Sequence, residues 1–91
     1  MKIINQIVQL YNDIEVFIYP YIEKSNNQRI KNQYIRFQRD HQSFLKFWKM
    51  NKLSKEWIIQ YFNYLIWLKK QITLFKQTRD NKYLNIIFNT L

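Results

Sequence analysis

Residues 28–50 read QRIKNQYIRFQRDHQSFLKFWKM, and this stretch contains the clearest structural pattern in the chain. Large, mostly apolar side chains recur in it at alternating spacings of four and three residues, which places them on one face of an α-helix. The members of this stripe are Ile30, Tyr34, Phe37, His41, Phe44 and Trp48. The spacing therefore predicts a long amphipathic helix from Gln28 to about Met50, with the stripe packed against a core.

The other side of this predicted helix is basic. Its cationic residues, which we call the basic face, are Arg29, Lys31, Arg36, Arg39, Lys46 and Lys49. Asp40 is the only acid among them, and Arg36–Asp40 is the only possible ion pair at helical spacing. Because Lys and Arg replace the counterions of phosphate backbones, the basic face predicts binding to nucleic acid. The alternative is an ordinary solvated surface.

Helices are also predicted on both sides of this stretch. Residues 1–23 carry an apolar helical stripe, and Pro20 is expected to end or kink that helix near Tyr19. A third helix is expected from Lys55 to about Gln77, with Ser54 as its N-cap. A short last helix follows, with Asp80 as a candidate cap. The sequence thus predicts one all-α domain over residues 1–91, built from three long helices and a short C-terminal one.

The third predicted helix is apolar on nearly every side. Between Trp57 and Leu68 only Gln60 and Asn63 are polar. A helix of this kind must be covered on more than one side. The surplus positions, predicted to contact a partner, are Ile59, Ile66, Trp67 and Leu74. That partner is a neighbouring protein, a second copy of the chain or, at Trp67, stacked RNA bases. A central position of this helix in the bundle is the alternative.

Composition argues against catalysis. The chain has no Gly, no Cys and a single His, which excludes glycine-rich phosphate loops, thiolate nucleophiles and multi-histidine metal sites. His41 occupies a position on the apolar stripe, where a packed histidine is expected, and no two acids share a helix face. We therefore predict a protein that is not an enzyme, with no catalytic residue, no cofactor, no bound metal and no small-molecule substrate.

The charge is divided unevenly along the chain. The net formal charge is +9, yet residues 1–23 hold one Lys and three acids, whereas the remainder holds 14 basic and three acidic residues. An acidic first helix has the wrong charge for a mitochondrial presequence, so none is expected. The longest apolar run, which ends before Lys69, is too short to cross a bilayer.

Ile, Asn, Lys, Tyr and Phe are frequent, and Ala does not occur. In this bias the chain resembles small proteins encoded by AT-rich, protist-type mitochondrial genomes. The resemblance implies an organelle-encoded mitochondrial protein. An AT-rich bacterial, phage or nuclear genome gives the same bias, and a bacterial or phage source implies a cytoplasmic location.

Together these features predict a structural RNA-binding subunit of a ribonucleoprotein, most concretely a small mitochondrial ribosomal protein. Its partners would be rRNA or other structured RNA and the neighbouring proteins of the assembly. One alternative is an accessory subunit of a mitochondrial respiratory complex, with the cations against anionic lipid headgroups. Another is a small helical DNA-binding or phage regulatory protein.

Overall fold

The computed structural model describes residues 2–91. This part of the chain forms four α-helices and no strand: α1 (Lys2–Lys24), α2 (Gln28–Lys49), α3 (Lys55–Thr78) and α4 (Asn81–Thr90). The predicted all-α fold, with three long helices and a short C-terminal one, is confirmed.

Three of the four helices begin at a side chain that caps them. Asn27, Ser54 and Asp80 each accept a hydrogen bond, 3.0 to 3.1 Å long, from a main-chain amide two or three residues further on. These bonds satisfy amides that have no partner inside the helix. The predicted caps Ser54 and Asp80 are confirmed, and Asn27 caps α2 in the same way.

A chain without glycine must end its helices with other residues. Asn51 follows α2 with φ of 56°, and Arg79 ends α3 with φ of 58°, both in the left-handed region. Asn tolerates this conformation, whereas Arg adopts it at a cost. The Arg79 amide donates to the Phe75 carbonyl at 2.7 Å, which closes the end of α3.

Of the two effects predicted for Pro20, an end of α1 near Tyr19 does not occur, because the helix continues through Pro20 to Lys24. Pro20 is exposed, while Ile18 and Ile22 on either side of it are buried in the core. A proline removes one helical hydrogen bond. Burial of the two isoleucines holds the last turn in place despite that loss.

The helices form a four-cornered bundle. The backbones of α1 and α4 each come within 8 Å of both α2 and α3, measured between Cα atoms. Across residues 2–91, neither α2 and α3 nor α1 and α4 approach each other that closely. The helices α2 and α3 therefore occupy opposite corners, and their outward faces point away from each other.

Aromatic side chains of α2 reach both α1, at Tyr11, and α3, at Tyr61. The imidazole of His41 stacks on the ring of Tyr11, with ring centroids 3.6 Å apart and planes 3° from parallel. The ring centroids of Phe44 and Tyr61 are 4.5 Å apart. We call Tyr11, His41, Phe44 and Tyr61 the aromatic bridge. It sets the rotation of α2 about its own axis.

The predicted stripe of α2 is the side that packs inward. Phe37 and Phe44 are 2% and 1% exposed, whereas Ile30 and Trp48 at the ends of the stripe are half-buried. Arg39, which lies opposite the stripe, is exposed. The helix phase predicted from the sequence is thus confirmed.

Phe37→Ala is expected to lower the free energy of unfolding by about 3 kcal/mol, because it opens a cavity and removes a ring stacked on Tyr11. Ile35→Ala on the same helix is the matched control, since Ile35 is 48% exposed. Its cost should stay within about 0.5 kcal/mol. Urea unfolding followed by circular dichroism measures both. Equal costs for the two variants would mean that α2 is rotated differently.

Candidate nucleic-acid interface

The basic face lies on the outward side of α2. Arg39 and Lys46 stand opposite the buried stripe and are exposed. They are seven residues apart, which is two helical turns or about 10 Å along the axis. Arg29, Arg36 and Lys49 are also exposed, whereas Lys31 is half-buried. The predicted residues therefore share one surface, but they spread over roughly half the helix circumference, at 100° per residue.

Most of the positive charge has no acidic partner. Of the 15 lysines and arginines, Lys69 lies 3.2 Å from Asp13 and Lys82 lies 3.9 Å from Asp80. The other 13, including the whole basic face, form no ion pair with any of residues 2–91. A surface built for stability alone usually mixes both signs of charge. The unpaired cations leave α2 with a strong positive field.

The possible pair between Arg36 and Asp40 does not form. Instead the Arg36 guanidinium donates a hydrogen bond to the main-chain oxygen of Leu91. This contact ties α2 to the residue that follows α4. A guanidinium has five N–H donors, so Arg36 keeps donors for a ligand.

A polar depression of about 510 Å³ opens along one edge of the basic face. It is lined by Gln28, Arg29, Asn32, Gln33 and Arg36. Two guanidinium groups in one depression suit phosphate oxygens, and amide side chains suit ribose hydroxyls. The pattern of charges in the sequence does not point to these amides. Asn32 and Gln33 lie three or four residues from both arginines, and Gln28 lies four residues before Asn32, so helical spacing could have identified them.

Two apolar residues, Ile35 and Phe47, lie among these cations along α2. Ile35 is 48% exposed on the basic side of α2. Phe47 is half-buried, with its ring centroid 5.7 Å from that of Trp57. Ile35 is therefore available to a ligand, whereas Phe47 mainly supports the indole ring of Trp57.

The predicted partner-contact positions lie on the outward side of α3. Ile59, Ile66 and Trp67 are 43%, 43% and 39% exposed, and we call these three the apolar patch. Leu74 is half-buried, so it contributes less to that surface. Because α2 and α3 occupy opposite corners, the apolar patch and the basic face lie on opposite sides of the molecule.

His41 is part of the structure of the core. Its side chain is buried, and Nδ1 shares a hydrogen bond of 2.8 Å with the Tyr61 hydroxyl. Burial lowers the pKa of His41 from 6.5 to about 4, against an opposing influence of Glu15. Burial also raises the pKa of the Tyr61 phenol. The pair is therefore neutral at pH 7, as a buried hydrogen-bonded pair should be.

Two further features bear on the kind of site present. No helix within residues 2–91 is long and apolar enough to cross a membrane. In the same part of the chain, no three His, Cys, Asp or Glu side chains cluster closely enough to hold a metal ion.

No protein-family model matches the chain, and no curated protein or solved structure shows significant similarity to it. The geometry and charge of its own residues are therefore what point to a function.

The stability of the fold is expected to depend on pH through His41. An unfolded chain titrates its histidine near 6.5, whereas the folded protein does so at about 4. Between these values the unfolded state binds more protons, so the free energy of unfolding should fall as pH drops from about 6.5 to about 4. Urea unfolding between pH 7 and about 4.5 measures this loss. That range avoids Asp13, whose pKa is lowered from 3.8 by hydrogen bonds from Gln9 and Lys69.

His41→Phe provides the control. The variant can keep a ring stacked on Tyr11 but has no imidazole to protonate. Its stability should change less over the same pH range. An equal dependence in both proteins would show that other groups cause it.

Proposed function

We propose that this chain is a structural RNA-binding subunit of a ribonucleoprotein, in which the basic face of α2 lies along RNA phosphates. The observation that supports this most strongly is the set of exposed cations on α2, none of which pairs with an acid among the described residues. Neutralising phosphates releases their condensed counterions, which is the main source of such affinity. Catalysis has no part in this proposal.

The mechanism is charge neutralisation combined with shape. The 22 residues of α2 span about 33 Å, so the basic face can contact several phosphates along structured RNA. Double-stranded RNA offers phosphates and ribose hydroxyls rather than readable base edges. The arginines and amides beside Arg29 suit those two groups. Three or four phosphate contacts are a fair estimate for a face this wide.

The apolar patch supports a place inside an assembly. A basic face on one side and exposed Ile59, Ile66 and Trp67 on the other allow RNA and a neighbouring protein to bind at once. The amino-acid bias resembles that of proteins from AT-rich mitochondrial genomes, and a mitochondrial ribosome is therefore the assembly that we propose. Sedimentation of the tagged protein with ribosomal subunits from its source organism would test that assignment.

Binding to a structured RNA should weaken steeply as salt increases. Arg39→Ala combined with Lys46→Ala should reduce the slope of log K against log salt concentration by about one contact for each residue. Both side chains point outward, so the fold should not change. Lys2→Ala combined with Lys70→Ala is the matched control, because it removes the same charge from other surfaces. Its slope should stay close to that of the original protein.

Binding titrations at several salt concentrations distinguish the proposed RNA-binding function from its alternatives. If both double variants reduced the salt slope equally, binding would depend on the overall charge of the protein. That result would contradict binding through the basic face. Anionic vesicles and duplex DNA provide the comparison ligands. Vesicles bound as tightly as RNA, and weakened by the same substitutions, would favour the membrane-complex alternative. Tighter binding to duplex DNA would favour a DNA-binding protein.

A further inference from the structure

A cleft of about 480 Å³ opens between α2, α3 and the end of α4. This volume lies within the range of small-molecule sites, roughly 300–1,000 Å³. Its aromatic lining consists of Phe37, Phe44, Trp57, Tyr61 and Tyr64. The polar residues at its walls are Arg36, Asp40, Ser43 and Thr90. The cleft therefore combines flat aromatic surfaces with a cation, an acid and two aliphatic hydroxyls.

Trp57 is an exposed aromatic ring that is held firmly in place. It is 41% exposed although it lines a cleft. Its amide is fixed by the Ser54 cap at 3.1 Å, and its ring contacts Phe47 and, edge to face, Phe44. A ring that is already ordered loses little entropy when a ligand stacks on it. Trp57 therefore forms a ready platform for a planar group.

The cleft is joined to the polar depression on the basic face through Arg36. This arginine lines both concavities. A nucleic-acid strand whose phosphates lie at Arg29 and Arg36 would thus pass the mouth of the cleft. A base attached to that strand could enter it without leaving the phosphate contacts.

The polar groups favour a base that carries an amino group. The Asp40 carboxylate accepts hydrogen bonds only, and it suits the N4 amine of cytosine. Uracil presents an oxygen at that position and would face the carboxylate with an acceptor. Burial raises the pKa of the Tyr64 phenol to about 12, so this side chain remains a neutral hydrogen-bonding group beside the base.

We propose that this cleft binds an unpaired base of the RNA, stacked on Trp57, and that it prefers cytosine to uracil through Asp40. The inference rests on the proposed RNA-binding function and adds recognition of unpaired bases to it. Stacking on an aromatic side chain is the common way in which proteins hold single-stranded bases.

The test uses hairpin RNAs with loops of cytosines or uracils, and a paired duplex with the same number of phosphates. Trp57→Leu should weaken binding to the cytosine loop roughly 5- to 100-fold and leave the duplex affinity unchanged. Tyr19→Leu is the control, because Tyr19 is an aromatic residue that is 50% exposed but lies on α1 and does not line the cleft. It should bind all three RNAs like the original protein.

Asp40→Asn provides a second variant that should fold whatever happens to Trp57→Leu, because Asp40 is exposed. It should reduce the preference for the cytosine loop over the uracil loop. Free cytidine monophosphate, added as a competitor, tests whether a mononucleotide is the ligand. Displacement of the loop RNA at micromolar concentrations would overturn the proposal that the base arrives on a strand.

The outcomes separate this inference from the proposed function. One outcome is that the original protein binds every RNA with a steep salt dependence, Trp57→Leu binds like Tyr19→Leu, and Asp40→Asn leaves the loop preference unchanged. In that case the base site is wrong and the proposed role of the basic face stands. If the original protein binds no RNA in a salt-dependent way, the proposed function fails and the base site fails with it.

Discussion

The aromatic bridge is the interaction on which the other features depend. Because the backbones of α2 and α3 stay apart, His41 and Phe44 of α2 reach across the bundle to Tyr61 of α3. Tyr11 of α1 stacks on His41 and completes the aromatic bridge. Rings reach further than aliphatic side chains and have defined orientations. By holding one stripe of α2 inward, they turn the opposite, basic side outward. The same wide spacing leaves room for the cleft beneath Trp57.

Much of the fold follows from local pattern. The alternating spacing in α2 and the caps Ser54 and Asp80 involve residues that are close together in the chain. Helix geometry alone determines where such residues lie. The end of α1 did not follow from pattern. Pro20 is a strong local signal, but burial of Ile22 against the rest of the core outweighs it. Such packing is not visible in a short window of sequence.

The candidate nucleic-acid interface, like the fold, follows only in part from the sequence pattern. Helical periodicity identifies the basic face, since its six members belong to one helix. It does not show that Arg36 is held by Leu91, which is 55 residues away. Nor does it show that Trp57 lines a cleft, since the surroundings of Trp57 come from α2 and α3 together. Of the four predicted partner-contact positions, Ile59, Ile66 and Trp67 are exposed and Leu74 is half-buried.

Amine modification with and without a structured RNA tests the central claim most directly. Lysines acetylated in each state can be compared by mass spectrometry, residue by residue. Binding through α2 predicts that Lys46 and Lys49 are protected by RNA, while Lys70 on the opposite side stays equally reactive. Protection of Lys70, or uniform protection of all lysines with no preference for α2, would contradict the account.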